Sequence, residues 1–202
     1  MGVEGLESGA NRGRETIMRA RGMVSIMACL AAAAVVLAGE VAGVRMADTV
    51  PVEGKTLKLN GMGLRKKVVF KVYVAGLYLE TLSPAGEALI ASDQVKRMQL
   101  SVLRSLKSKQ VMEAIEEGFE KNSKAKMGAL KERLGKFGAM ISDVVEGDQI
   151  VMTYVPGKGT SVSVKGTDKG VIEGKDFADA LFAVWLGPNP VQEDLKKALL
   201  HG

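Results

Sequence analysis

The sequence predicts one α+β domain behind an N-terminal leader, and three observations carry that reading. Strand-like and helix-like segments alternate along the chain without a repeat or a dividing linker. A long run of β-branched and aromatic residues around position 70 marks a sheet interior. Two amphipathic helical stripes stand together in the middle of an otherwise stranded chain, as a layer over a sheet would. The length, 202 residues, is that of one domain with some to spare.

Residues 1–43 differ from the rest. Arg12, Arg14, Arg19 and Arg21 precede an apolar run from Met23 to Ala38. A basic region, a short apolar stretch and small residues make up a secretory signal peptide, with cleavage near residue 38 or 43. Met18 and Met23 are alternative starts. The run is short for a bilayer span and is soon interrupted by Glu40, so no stable membrane span is expected after cleavage. Cys29, the one cysteine, would leave with the leader. A mature chain without thiols suits a periplasmic or secreted location. Residues 44–202 form the single domain.

Within the domain, Thr56 to Leu59 reads as a short strand ended by Asn60-Gly61-Met62-Gly63. Lys66 to Leu79 reads as one strand with Gly76 at a bend or bulge. Ser83-Pro84 opens a short helix to Ile90, proline taking the first helical position, where its missing N–H costs nothing. Val95 to Leu103 alternates, with Met98, Leu100 and Val102 opposed to Arg97, Gln99 and Ser101, and predicts a half-buried strand. Met112, Ile115 and Phe119 form one helical stripe; Met127, Leu130, Leu134, Phe137 and Ile141 form another. Strands return at Gln149 to Val155 and Thr160 to Val164, around a Pro156-Gly157-Lys158-Gly159 turn. A short strand follows from Lys169 to Glu173. Phe177, Ala180, Leu181, Val184 and Trp185 give a helix face, and Asn189-Pro190 starts a terminal helix to Leu200.

Composition excludes much chemistry. One cysteine and one histidine, His201 near the chain end, rule out Cys/His zinc sites and leave no ordinary Ser-His or Cys-His machinery. No metal and no cofactor are expected. Gly157-Lys158-Gly159-Thr160 lacks the phosphate-loop spacing, and Gly61-Met62-Gly63 lacks the third glycine of a dinucleotide fingerprint. The leader carries four Arg and four Glu, so the net charge of +5 belongs to the domain. Its lysines alternate with glutamates along the helices as on a solvated face, and the nine aromatics mostly fall at core-facing positions, so nucleic acid is not an expected partner.

The candidate site is Arg65 with Tyr73. Arg65 follows the Gly-x-Gly segment at the mouth of the apolar strand, and Tyr73 lies at matching parity, so one sheet face would carry both if no bulge intervenes. A guanidinium beside a phenol suits a carboxylate or enolate-like oxygen. The same residues also fit a plainer arrangement, with Arg65 capping a surface turn and Tyr73 packed in the core.

Leu59 to Lys67 followed by Tyr73-Val74-Ala75-Gly76-Leu77-Tyr78-Leu79 resembles the chalcone isomerase-like family. Tyr154 to Thr160 and Phe177 to Leu200, with Trp185-Leu186-Gly187-Pro188, resemble its bacterial exported branch. The resemblance covers roughly residues 50–200. It implies an open-faced β-sandwich, a large antiparallel sheet covered on one face by a layer of helices, with a ligand cleft between.

By that resemblance Arg65 falls on the arginine shared by the isomerases and their fatty-acid-binding relatives, and Tyr73 on the fatty-acid binders' tyrosine. Other isomerase positions fall on Lys107, Ala114 and Val184, which lack the side chains the isomerases use there. The leading expectation is a carrier or sensor of a fatty acid or similar apolar carboxylate. Met98, Met112, Val72 and Phe119 would surround the tail, and Arg65 and Tyr73 would hold the head group. The alternative is an isomerase or intramolecular lyase with Arg65 and Tyr73 as catalytic residues. A third reading is an interaction protein whose cleft is filled by its own side chains. Oligomeric state is not readable from the sequence.

Overall fold

The computed structural model describes residues 37–201. The leader reading of residues 1–43 therefore lies almost wholly outside the described residues. Seven strands form one antiparallel sheet in simple sequence order: β3 (Thr49–Val52), β4 (Lys55–Lys67), β5 (Phe70–Leu79), β6 (Lys96–Val102), β7 (Gln149–Val155), β8 (Gly159–Val164) and β9 (Thr167–Ile172). Ahead of them β1 (Leu37–Val41) and β2 (Val44–Ala47) form a separate hairpin. Its turn, Ala42-Gly43, has positive φ at both residues, as two-residue hairpins favour.

Among the described residues, five α-helices and one 3₁₀ turn (Lys124–Lys126) complete the domain: α1 (Gly86–Ala91), α2 (Ser108–Ser123), α3 (Met127–Met140), α4 (Lys175–Leu186) and α5 (Glu193–Leu200). They pack over one face of the sheet. That face presents Ala75, Leu77 and Leu79 from β5, Met98 and Leu100 from β6, and Ile150 and Met152 from β7, all in one core with the helices. Phe177 of α4 anchors the layer, its ring 5.6 Å from Phe119 of α2 and 5.9 Å from Phe137 of α3. Alternation puts Val74, Gly76 and Tyr78 on the opposite face. There Tyr78 joins Val52, Leu57 and Val95 in a smaller cluster. Gly76 is paired regularly with Gln99 and Met62 and marks no bulge. It is glycine because the Met46 side chain of β2 occupies the space where a Cβ would stand.

The main correction concerns β4. The segment Asn60-Gly61-Met62-Gly63 does not end a strand; it lies inside one of thirteen residues, and the break falls at Val68-Val69 instead. Nothing in a Val-Val pair signals a turn. The glycines are there for packing: a Cβ at Gly61 would fall 2.7 Å from the Leu199 carbonyl oxygen, and one at Gly63 would fall 2.7 Å from Ala198 Cβ. The two glycines form a shelf on which α5 rests against the sheet. Helix ends also differ: α1 begins at Gly86, beyond Pro84, and α5 at Glu193, beyond Pro190.

Asn60 does two jobs. Leu59 pairs with Tyr78 and Gly61 with Leu77, so Asn60 is an extra residue in β4, a bulge. A one-residue slip turns every following side chain to the other face, and Gly61, Gly63 and Arg65 thereby face the helices. Buried, the Asn60 amide donates to the carbonyls of Ser83 (3.1 Å) and Leu199 (2.8 Å) and accepts from the Ser83 N–H (2.9 Å).

Buried titratable groups set an alkaline limit on the fold. The Lys96 ammonium closes the C-terminal end of α1, donating to the carbonyls of Leu89, Ile90 and Ser92 at 2.9, 3.0 and 2.9 Å. Burial lowers its pKa to about 8. Burial raises all three tyrosines, Tyr78 to about 12 and Tyr73 and Tyr154 in the same direction, the last also through its bond to Asp93. From about 8 to the ordinary lysine value of 10.5, the unfolded chain holds a proton that folded Lys96 has released, so this group's contribution rises with pH. Above the ordinary tyrosine value of 10.0, the folded state keeps three phenolic protons that the unfolded chain gives up, so stability falls. The expected result is a urea midpoint that holds or rises slightly from about pH 8 to 10 and drops steadily above it. A midpoint still climbing above pH 10 would contradict these burials.

Candidate functional site

Arg65 and Tyr73 are brought together, though not as neighbours on one strand. They are direct cross-strand partners in the β4–β5 ladder, and directly opposed residues share a face. A second irregularity follows at once. Lys66 pairs with Lys71, leaving Val72 as the extra residue on β5. Both side chains line a cleft of about 620 Å³ between the sheet and the helices, within the roughly 300–1,000 Å³ range of small-molecule sites.

The cleft walls are largely apolar. Val72, Leu100 and Val102 come from the sheet, Ala114 and Ile115 from α2, and Val184 from α4. Of the four residues expected to surround a tail, Val72 alone lines it. Met98 is fully buried in the core one pleat beyond Leu100. Met112 and Phe119 lie seven residues apart on the α2 stripe that packs into the helix layer, with Met112 against Gly138 and Phe119 against Phe177. The apolar pattern of a helix identifies its buried face but does not say which part of that face borders a space.

The Tyr73 hydroxyl accepts a hydrogen bond from Trp185 Nε1 at 3.0 Å. Its own proton therefore stays available to a further acceptor. Burial raises the Tyr73 pKa, with the Trp185 bond and the nearby Arg65 charge pulling more weakly the other way. Tyr73 is thus a neutral donor at ordinary pH rather than a base. The half-buried Arg65 donates through Nη1 to the Lys66 carbonyl and to Gln192 Oε1, the latter at 3.2 Å. Gln192, just before α5, also accepts from the Lys66 N–H at 2.9 Å. Among the described residues, Arg65 Nε and Nη2 have no acceptor and no carboxylate lies within ion-pair distance of the guanidinium. The arrangement is a guanidinium with donors to spare beside a neutral phenol, both bordering a largely apolar space.

Trp185 and Gln192 are the site residues that reading the sequence alone did not assign. A buried indole N–H requires an acceptor, which was a usable signal for Trp185. Gln192 had none, since its role depends on where α5 docks. Ala114 and Val184 do line the cleft, whereas Lys107 does not; it is exposed and ion-paired to Asp143 at 2.8 Å. Among the described residues, no group of three His, Cys, Asp or Glu side chains is placed to hold a metal, and no helix is long and apolar enough to cross a membrane.

Sheet, helix layer and intervening cleft define a single α+β domain built around one space between its two layers. The chain belongs to the chalcone isomerase-like family, whose model matches residues 38–201. The fold is similar to that of a crystal structure of an Arabidopsis thaliana fatty-acid binding protein. The TM-score is 0.64 and the identity 17%, with 79% of this chain and 92% of that one covered. No curated protein matches the chain by sequence.

Proposed function

We propose that the cleft binds a fatty acid or a similar apolar carboxylate, with Arg65 and Tyr73 holding the head group and the apolar walls enclosing the tail. The observation that carries this reading is the Arg65–Tyr73 pair lining the cleft. The similarity to a fatty-acid binding protein supports it at the level of fold. Burial of each methylene contributes about 0.8 kcal/mol, so a twelve-carbon tail offers about 9 kcal/mol before association costs. A hydrogen bond to a charged head group adds about 1.5–3 kcal/mol. The tail sets affinity and the arginine sets orientation.

The test is titration of delipidated protein with laurate and palmitate, read by calorimetry and native mass spectrometry, beside Ala114→Trp. Ala114 is a partly exposed wall residue on α2, so the indole enters the cleft without displacing core. One fatty acid per chain is expected for the native protein. Ala114→Trp should lose more affinity for palmitate than for laurate, with little change in thermal stability. Native protein that ignores both acids would refute the proposal.

An intramolecular lyase remains the second reading, because an Arg–Tyr pair can also hold the oxygen of an enolate-like transition state. Against it, Ala114 and Val184 bring no hydrogen-bonding group to the walls. We also read the N-terminal segment as an export leader and the protein as periplasmic or secreted. Of the two cleavage positions, the one after Ala38 would leave β2 most of its hairpin partner, while the one after Gly43 would remove β1.

A further inference from the structure

The β4–β5 hairpin tip presents Val68, Val69 and Phe70 to solvent, 87%, 78% and 55% exposed. They are consecutive, whereas an exposed apolar residue standing alone would need no explanation. Val68 also sits at φ +56°. It opens a two-residue hairpin turn, a position where glycine is favoured and a β-branched side chain is strained. Neither water nor the turn favours valine here, so the apolar side chains answer to something else.

The charged side chains on the tip's own strands and over Phe70 are all basic. Lys66, Lys67 and Lys71 flank it on the two strands, and Arg104 stacks over the Phe70 ring at 4.5 Å from its centroid. Among the described residues, none of these four cations is ion-paired. The acidic residues facing the mouth, Glu113 and Glu117 of α2, are paired to Lys109 and Lys121. The tip is also part of the cleft entrance, since Lys67, Val68, Phe70 and Arg104 line it.

We propose that this tip docks the protein on an anionic lipid bilayer, the Val68-Val69-Phe70 side chains entering the acyl boundary and the four cations meeting lipid phosphates. An apolar wedge with a basic collar is the make-up of a lipid-surface contact, and it sets the cleft mouth against the phase in which fatty acids dissolve. The inference rests on the carboxylate-binding reading for its purpose, though docking is measured independently of it.

The experiment is flotation with phosphatidylcholine vesicles and with mixed phosphatidylcholine–phosphatidylglycerol vesicles. It compares the native chain with Val68→Gly/Val69→Asn, a pair that suits the turn and removes the wedge. The native protein should float with the anionic vesicles at least about tenfold better than with the neutral ones, and lose that binding in roughly 0.5 M salt. The double variant should bind at least about fivefold more weakly, with unchanged or raised thermal stability. Native protein that stays in solution with anionic vesicles, or a variant that floats equally well, overturns the proposal. Laurate binding without flotation retracts the docking alone; flotation without laurate binding retracts the cleft reading alone.

Discussion

Arg65→Gln is expected to bind laurate about ten- to a hundredfold more weakly than the native protein while remaining folded. The magnitude follows from losing charge-assisted hydrogen bonds of about 1.5–3 kcal/mol, at about 1.4 kcal/mol per decade of affinity. Folding is spared because the guanidinium is half-buried near the strand end and, among the described residues, donates to the Lys66 carbonyl and Gln192 rather than to the core. Glutamine keeps a donor near Gln192 but removes the charge, so the variant isolates the electrostatic part. Tyr73→Phe should cost less, within about tenfold, since it deletes one neutral donor and leaves the Trp185 indole without its acceptor. Calorimetric titration checks both. Equal affinities for native protein and Arg65→Gln would place the carboxylate elsewhere.

The largest expected effect on stability is at Gly61. In Gly61→Ala the new methyl meets the carbonyl oxygens of Ala198 and Leu199, backbone atoms that cannot rotate away. Helix α5 must lift, and the cost is about 3 kcal/mol, the upper part of the usual overpacking range. For a domain of this size that lowers Tm by roughly 6–12 °C. Lifting α5 also displaces Gln192, which precedes it and steadies Arg65, so ligand affinity should fall as well. The control is Gly135→Ala on α3, where an added Cβ has nothing within 4 Å. It should be neutral or stabilising by up to about 1 kcal/mol, because alanine suits a helix better. Thermal melts of the two variants decide the matter, and equal Tm values would mean that α5 does not sit on β4 as described.

The same glycine shows where the sequence was legible and where it was not. Alternation along β6 and the stripes of α2 and α3 are local patterns, and each produced the expected element with the expected buried face; α4 forms as expected but is buried on nearly every side, Ala178, Phe182, Ala183 and Leu186 included. Gly61 and Gly63 read as a turn because glycine usually marks one, yet their cause is a helix more than 130 residues later in the chain. The real turn at Val68-Val69 carries no turn residues at all. Parity pairs Arg65 with Tyr73 along one unbroken strand. They meet across a hairpin, on the right face only because the Asn60 bulge resets the alternation. The resemblance points to both residues, but the cleft walls depend on which buried residues border empty space, which periodicity does not encode. For that reason Met98, Met112 and Phe119, which the pattern marks as apolar and buried, pack in the core and do not line the wall.

The most direct test holds the tail constant and changes the head. Delipidated protein and Arg65→Gln are each titrated with palmitate and with hexadecanol, giving four dissociation constants. If Arg65 holds the head group, native protein prefers the acid by at least about tenfold, and the preference disappears in Arg65→Gln while alcohol affinity barely changes. A native protein that binds acid and alcohol equally, or a preference that survives the loss of the guanidinium, would contradict the account.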